Sequence, residues 1–117
     1  MEQTRKINTT EEPGFAQAWA EVYQILMRTP KSVQICIPRE FWNYIRRNMD
    51  DTWQGNLDFS KNLEDMDLLT DTKILLIMVY RDFICEPEER EQMIREEKRT
   101  AILEGWEYES YSLMDLI

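Results

Sequence analysis

Carboxylates and arginines are the side chains with chemistry to offer in this 117-residue chain. It carries 23 acidic and 14 basic residues and no histidine. Without an imidazole there is no Ser-His-Asp or Cys-His catalysis, and the commonest zinc ligand is missing. Cys36 and Cys85 are far apart in sequence, with no C-x-x-C spacing. Beside apolar neighbours, they read as reduced core thiols. No glycine-rich phosphate loop or dinucleotide fingerprint is present. Asp50-Asp51 and the set Asp65, Asp67 and Asp71 are the acidic groupings near helix ends and loops. They offer oxygen ligands of the magnesium or calcium kind, but no spacing matches an EF-hand loop. No cofactor or metal site is therefore expected. Asp82 follows Arg81 at the end of an apolar run, which predicts a partly buried, structural ion pair.

Two groups of residues are candidates for binding. Arg39, Arg46 and Arg47 form a basic patch that could meet an anion, although arginines on one short helix more often simply face solvent. The C-terminal segment alternates aromatics with glutamates at Trp106, Tyr108 and Tyr111, and then adds Leu113 and Leu116. Alternation of that kind suits an extended segment with one apolar face. It can fold back on its own domain, dock on a partner by adding a strand or short helix, or stay disordered.

The elements that must position these residues are helices. Three glycines and four prolines are few for a turn-rich β protein, and 43% hydrophobic content fits a folded domain. Leu68 to Cys85 is the organising stretch. Ile74 to Tyr80 is an unbroken apolar run, long enough with its flanks to favour a central helix over a buried strand, and greasy on every side. Thr70 or Asp71 is placed to cap its start. Thr9-Thr10-Glu11-Glu12-Pro13 is a helix-start signature. Phe15, Trp19, Val22 and Leu26 then recur at helical spacing, with Glu21 and Gln24 off that stripe. After Thr29-Pro30, Val33, Ile35 and Ile37 alternate; a short helical turn is favoured there, with an edge strand as the alternative. Pro38 opens another helix, with Phe41, Ile45 and Met49 in one row and Trp42 beside it.

Asp50 to Leu69 is too long for an idle loop. Its anchors Trp53, Leu57, Phe59, Leu63, Met66 and Leu68 predict an ordered strap, with at least two of Trp53, Leu57, Phe59 and Leu63 buried. Glu86-Pro87 restarts a helix that Gly105 stops. The fold class expected is all-α: a small bundle of four to five helices with a long strap between the third and fourth. Residues 1–12 read as a flexible N-terminus, 13–103 as the helical domain and 104–117 as an acidic aromatic tail.

Charge bounds the partners. Residues 1–49 carry seven basic and five acidic groups, net +2; residues 50–117 carry seven and eighteen, net −11. The acidic part argues against general binding to phosphate backbones, so no nucleic acid is expected. No apolar run approaches the ~20 residues of a membrane span, and Met1 to Lys6 does not lead into an export-type apolar segment. A cytoplasmic location is expected.

Ile37-Pro38-Arg39-Glu40-Phe41, Leu57-Asp58-Phe59-Ser60-Lys61-Asn62-Leu63 and Tyr80-Arg81-Asp82-Phe83 together resemble a group of short uncharacterised bacterial helical proteins. Those combine a helix, a "KIP"-like turn, a "D-P-S-K-x-L" strap and an apolar helix. The resemblance runs from about Phe15 to Arg95. It departs at Phe59, where the pattern has proline, and at the additional C-terminal tail. It implies a helical cytoplasmic protein and supplies no catalytic residue. The function expected is a small protein-interaction or regulatory module without catalytic activity. The alternatives are a carboxylate-based, metal-dependent enzyme and an acidic inhibitor that mimics nucleic acid.

Overall fold

In the computed structural model, residues 13–105, 107–108 and 112–117 are described. The 1–12 segment with its Thr9–Glu12 capping signature, and the tail aromatics Trp106 and Tyr111, lie outside them. Helix α1 (Pro13–Leu26) lays down the expected stripe: Phe15, Ala18, Trp19, Val22 and Leu26 are all buried. A single turn, α2 (Lys31–Gln34), follows Pro30, so the helical reading of this stretch holds and the edge strand does not. Helix α3 (Arg39–Asn48) opens after Pro38 and buries Phe41, Tyr44 and Ile45. Trp19 meets Phe41 and Tyr44 edge to face, at 5.7 and 5.5 Å between centroids, the preferred geometry for aromatic quadrupoles. The α1–α3 seam is therefore built on rings.

Helix α4 (Thr70–Val79) packs on α1 and continues into a wide π turn over Tyr80–Ile84, in which the Cys85 N–H donates to the Tyr80 carbonyl at 2.9 Å. Leu75, Leu76, Met78 and Val79 are buried, but Ile77 is 50% exposed and Tyr80 also faces out. The expectation of a helix buried on every side is corrected here. Neighbours cover α4 on one broad face, and the apolar run alone cannot reveal which residues that face leaves over. Helix α5 (Pro87–Glu104) buries only Ala101, and Gly105 ends it in the left-handed region at φ 76°, where a residue with a Cβ is disfavoured. The described residues thus form an all-helical fold of five helices without strands.

The cap of α4 differs from expectation. Neither Thr70 nor Asp71 caps it. The Glu21 carboxylate reaches across from α1 and accepts from the Leu69 N–H at 3.2 Å and the Thr72 hydroxyl at 2.6 Å. Glu21 is itself buried, against the expectation that it lies off the packed stripe. A buried carboxylate persists where donors surround it, and the free N–H groups of a helix start are such donors.

Residues 49–69 connect α3 to α4 with one 3-10 turn at Leu63–Asp65. The strap is anchored at its end, by buried Met66 and Leu68, while Leu57 and Leu63 pack half-buried on the core. None of Trp53, Leu57, Phe59 and Leu63 is fully buried, so the expectation for those four is corrected. Phe59 lies at the surface with the Arg28 guanidinium 4.4 Å above its ring. The strap's polar residues make local turns instead: Asp50 accepts from Thr52, and Asp58 from Ser60, through both backbone and side chain. Those hydrogen bonds lower both carboxyl pKa values.

Candidate functional site, a cationic cleft

The α1–α2–α3 corner is fixed by its turns. The Thr29 hydroxyl donates to the Leu26 carbonyl at 2.6 Å, and the Gln34 amide donates to the carbonyls of Thr29 and Met27 at 2.9 and 3.3 Å. The α2 turn buries none of its own residues, so these bonds and the buried Ile37 just after it hold it in place. Along α3, residues 39, 42 and 46 recur at spacings of three and four and so share one face. Phe41, Tyr44 and Ile45 point to the core from the opposite side.

Between α2 and that face of α3 lies an open cleft of about 420 Å³, with Met27, Gln34, Ile35, Ile37 and Trp42 in its lining. Three cations complete the lining, Lys31, Arg39 and Arg46, and no carboxylate contributes. Among the described residues no acidic side chain pairs with any of the three. Among the described residues Arg46 meets the Asn43 side chain at 3.4 Å and the Tyr23 ring at 5.8 Å. Arg39 stands in the first turn of α3, where the positive end of the helix dipole adds to its own charge. Ile35 at the rim is 81% exposed and Met27 47%. The site therefore offers a positive potential beside an apolar rim in a chain of net charge −9. It can hold an anion that carries an apolar group.

Of the predicted basic patch, Arg39 and Arg46 come together here. Arg47 does not line the cleft; its guanidinium lies 6.0 Å from the Tyr44 ring centre. Lys31 completes the site and was missed. Its only sequence signal is its place between Pro30 and Pro38, in a turn that has to lie against the next helix.

The described tail candidates, Tyr108, Leu113 and Leu116, do not line the cleft. Leu113 is fully buried in the core and Leu116 packs half-buried against it. The Leu113 N–H donates to Asp82 at 2.9 Å, and the Tyr108 hydroxyl donates to Glu97 at 3.0 Å. Both carboxylates are bound by Arg81: Asp82 from Nε and Nη2 at 2.8 and 3.1 Å, and Glu97 from Nη1 at 2.9 Å. This network confirms the expected Arg81–Asp82 ion pair. Burial works to lower the Arg81 pKa, but the bonds and charges of Asp82 and Glu97 outweigh it and the net shift is upward. Burial, followed by the Glu97 charge, pushes the Tyr108 phenol up.

Both cysteines are free thiols, but Cys36 is exposed and Cys85 half-buried, so the expectation that they are core residues is corrected. Among the described residues no group of three or more Cys, Asp or Glu side chains is arranged to hold a metal ion, and no helix is long and apolar enough to cross a membrane. No protein-family profile, curated protein or solved structure matches the chain.

Proposed function

We propose that this chain is a non-catalytic binding module that takes an anionic partner in the cleft between α2 and α3. One observation carries the reading: Lys31, Arg39 and Arg46 converge on one cleft without a carboxylate among its lining residues. With 23 acidic residues in the chain, local neutralisation was available, and among the described residues none lines this cleft. Unpaired cations around a concavity keep their charge for a ligand and speed its encounter.

The test is a titration of the isotopically labelled full chain with inorganic phosphate, citrate and poly-glutamate, followed by amide chemical shifts. Shifts that saturate, concentrate in residues 27–46 and disappear in an R39E/R46E variant support the proposal. Shifts spread evenly over the surface, or none, overturn it.

A further inference from the structure

We infer that the occupant of the cleft is an acidic peptide segment of a protein partner, with one large apolar side chain seated between Ile35 and Trp42 and flanking carboxylates on Lys31, Arg39 and Arg46. The inference rests on the binding reading above and adds the chemical class of the ligand. Three features of the molecule select it. The first is the mixture of the lining. A small inorganic anion would engage the three cations but leave Ile35 and Met27 in water, exposed at 81% and 47%. A peptide presents carboxylates and an apolar side chain a few ångströms apart and uses both halves of the site.

The second is the charge of the rest of the chain. Residues 50–117 carry net −11. Screening at physiological salt acts over about 8 Å. A short acidic segment confined to the cleft is governed by the cations within that distance. A nucleic-acid backbone or an anionic membrane surface extends well past the cleft and meets the acidic remainder of the protein. Net repulsion then opposes what three cations attract.

The third is the build of the corner. The cleft is open, and its α2 wall is a single turn held by the Gln34 amide and by Ile37. A half-buried tryptophan flanked by arginine is the composition that concentrates binding energy at protein interfaces. Ile35, immediately after α2, is exposed among the described residues and available to pack against an incoming side chain.

Fluorescence anisotropy on the full chain tests this with labelled synthetic peptides. One is a short glutamate-rich peptide with a central Leu-Phe pair; the second replaces that pair by Ser-Gly; the third replaces the glutamates by lysines. A short oligothymidylate and inorganic phosphate serve as competitors. The expected result is that the Leu-Phe peptide binds at least about tenfold more tightly than the Ser-Gly peptide, as burial of one large apolar side chain implies. The lysine peptide does not bind. I35S removes most of the Leu-Phe advantage, while R39E/R46E abolishes binding of both. All three positions are exposed at the surface, and thermal melts confirm that the variants fold. Equal affinity for the Leu-Phe and Ser-Gly peptides, or tighter binding of the oligonucleotide at this cleft, overturns the peptide inference while the binding reading stands. Failure of peptides, oligonucleotide and phosphate alike to reach the cleft overturns both.

Discussion

Two arginine clusters in this chain are used in opposite ways. At the junction of the π turn, α5 and the C-terminal segment, Arg81 is buried and saturated: Asp82 and Glu97 both accept from it, and the same carboxylates hold the Leu113 N–H and the Tyr108 hydroxyl. At the α2–α3 corner, Arg39 and Arg46 join Lys31 around an open cleft, and no carboxylate among the described residues lines it. A cation whose hydrogen bonds are satisfied inside the fold is a structural part, because removing it strands its partners in low dielectric. A cation held at a concave surface without a counter-ion adds little to stability and remains available to a ligand. The net charge of −9 says nothing of this division; the positions of the cations decide it.

The contrast makes ordered predictions. The largest effect is expected for Arg81→Ala, which leaves the Asp82 carboxylate, 2% exposed, without its main partner. Loss of a buried pair member typically costs about 3–5 kcal/mol, to be read from urea denaturation. A loss below about 1 kcal/mol would break the comparison, since Arg81 would then resemble a surface arginine. Leu113→Ala comes next, at about 2–5 kcal/mol, because the side chain is fully buried. If truncation at 113 leaves the melt unchanged, the segment is not part of the core in solution. Glu21→Ala removes the acceptor shared by the Leu69 N–H and Thr72 hydroxyl, for about 1–3 kcal/mol. Faster amide exchange confined to the first turn of α4 is its specific signature.

Tyr108→Phe should cost about 0.5–1.5 kcal/mol through the lost hydrogen bond to Glu97. Its pH dependence has a definite sign. The folded-state pKa of Tyr108 lies above the ordinary value of 10.0, so the phenol's contribution is fully present below pH 10 and is lost as pH rises through the higher folded value. Stability profiles of the parent and the Phe variant should therefore converge on the alkaline side. Convergence on the acidic side of neutrality instead would assign the linkage to another group. Smallest of all, Arg39→Ala and Arg46→Ala should each change stability by less than about 0.5 kcal/mol. A larger loss at either would mean that its guanidinium is structural and would erase the distinction from Arg81.

The strap carries a similar lesson about exposure. Six apolar anchors in one segment correctly pointed to a path across the core, and Met66 and Leu68 bury as an anchored strap requires. Phe59 stays at the surface beneath Arg28. Its neighbours Asp58 and Ser60 close a local turn, and that turn carries the ring away from the core. Short-range hydrogen bonding settled the position of a residue that hydrophobicity alone would have buried.

The sequence by itself determined the helices, their order and most of their inward faces. Periodicity at Phe15, Trp19, Val22 and Leu26, prolines at 13, 38 and 87, and Gly105 are local signals, and each acts within a turn or two of the residue that carries it. Arg81 beside Asp82 was likewise legible, because adjacent opposite charges at the end of an apolar run have few other ways to be buried. Only the tertiary structure decided what lay between elements. Glu21 reaches the start of α4, Leu113 reaches Asp82, and Lys31 stands with Arg39 and Arg46 across one cleft while Arg47 turns away. These pairings depend on how α1, α3 and α4 cross and on where a turn between two prolines comes to rest. No spacing within a single helix records either of these, since a periodic pattern fixes which face of a helix turns inward but not which side chain of another helix it will meet.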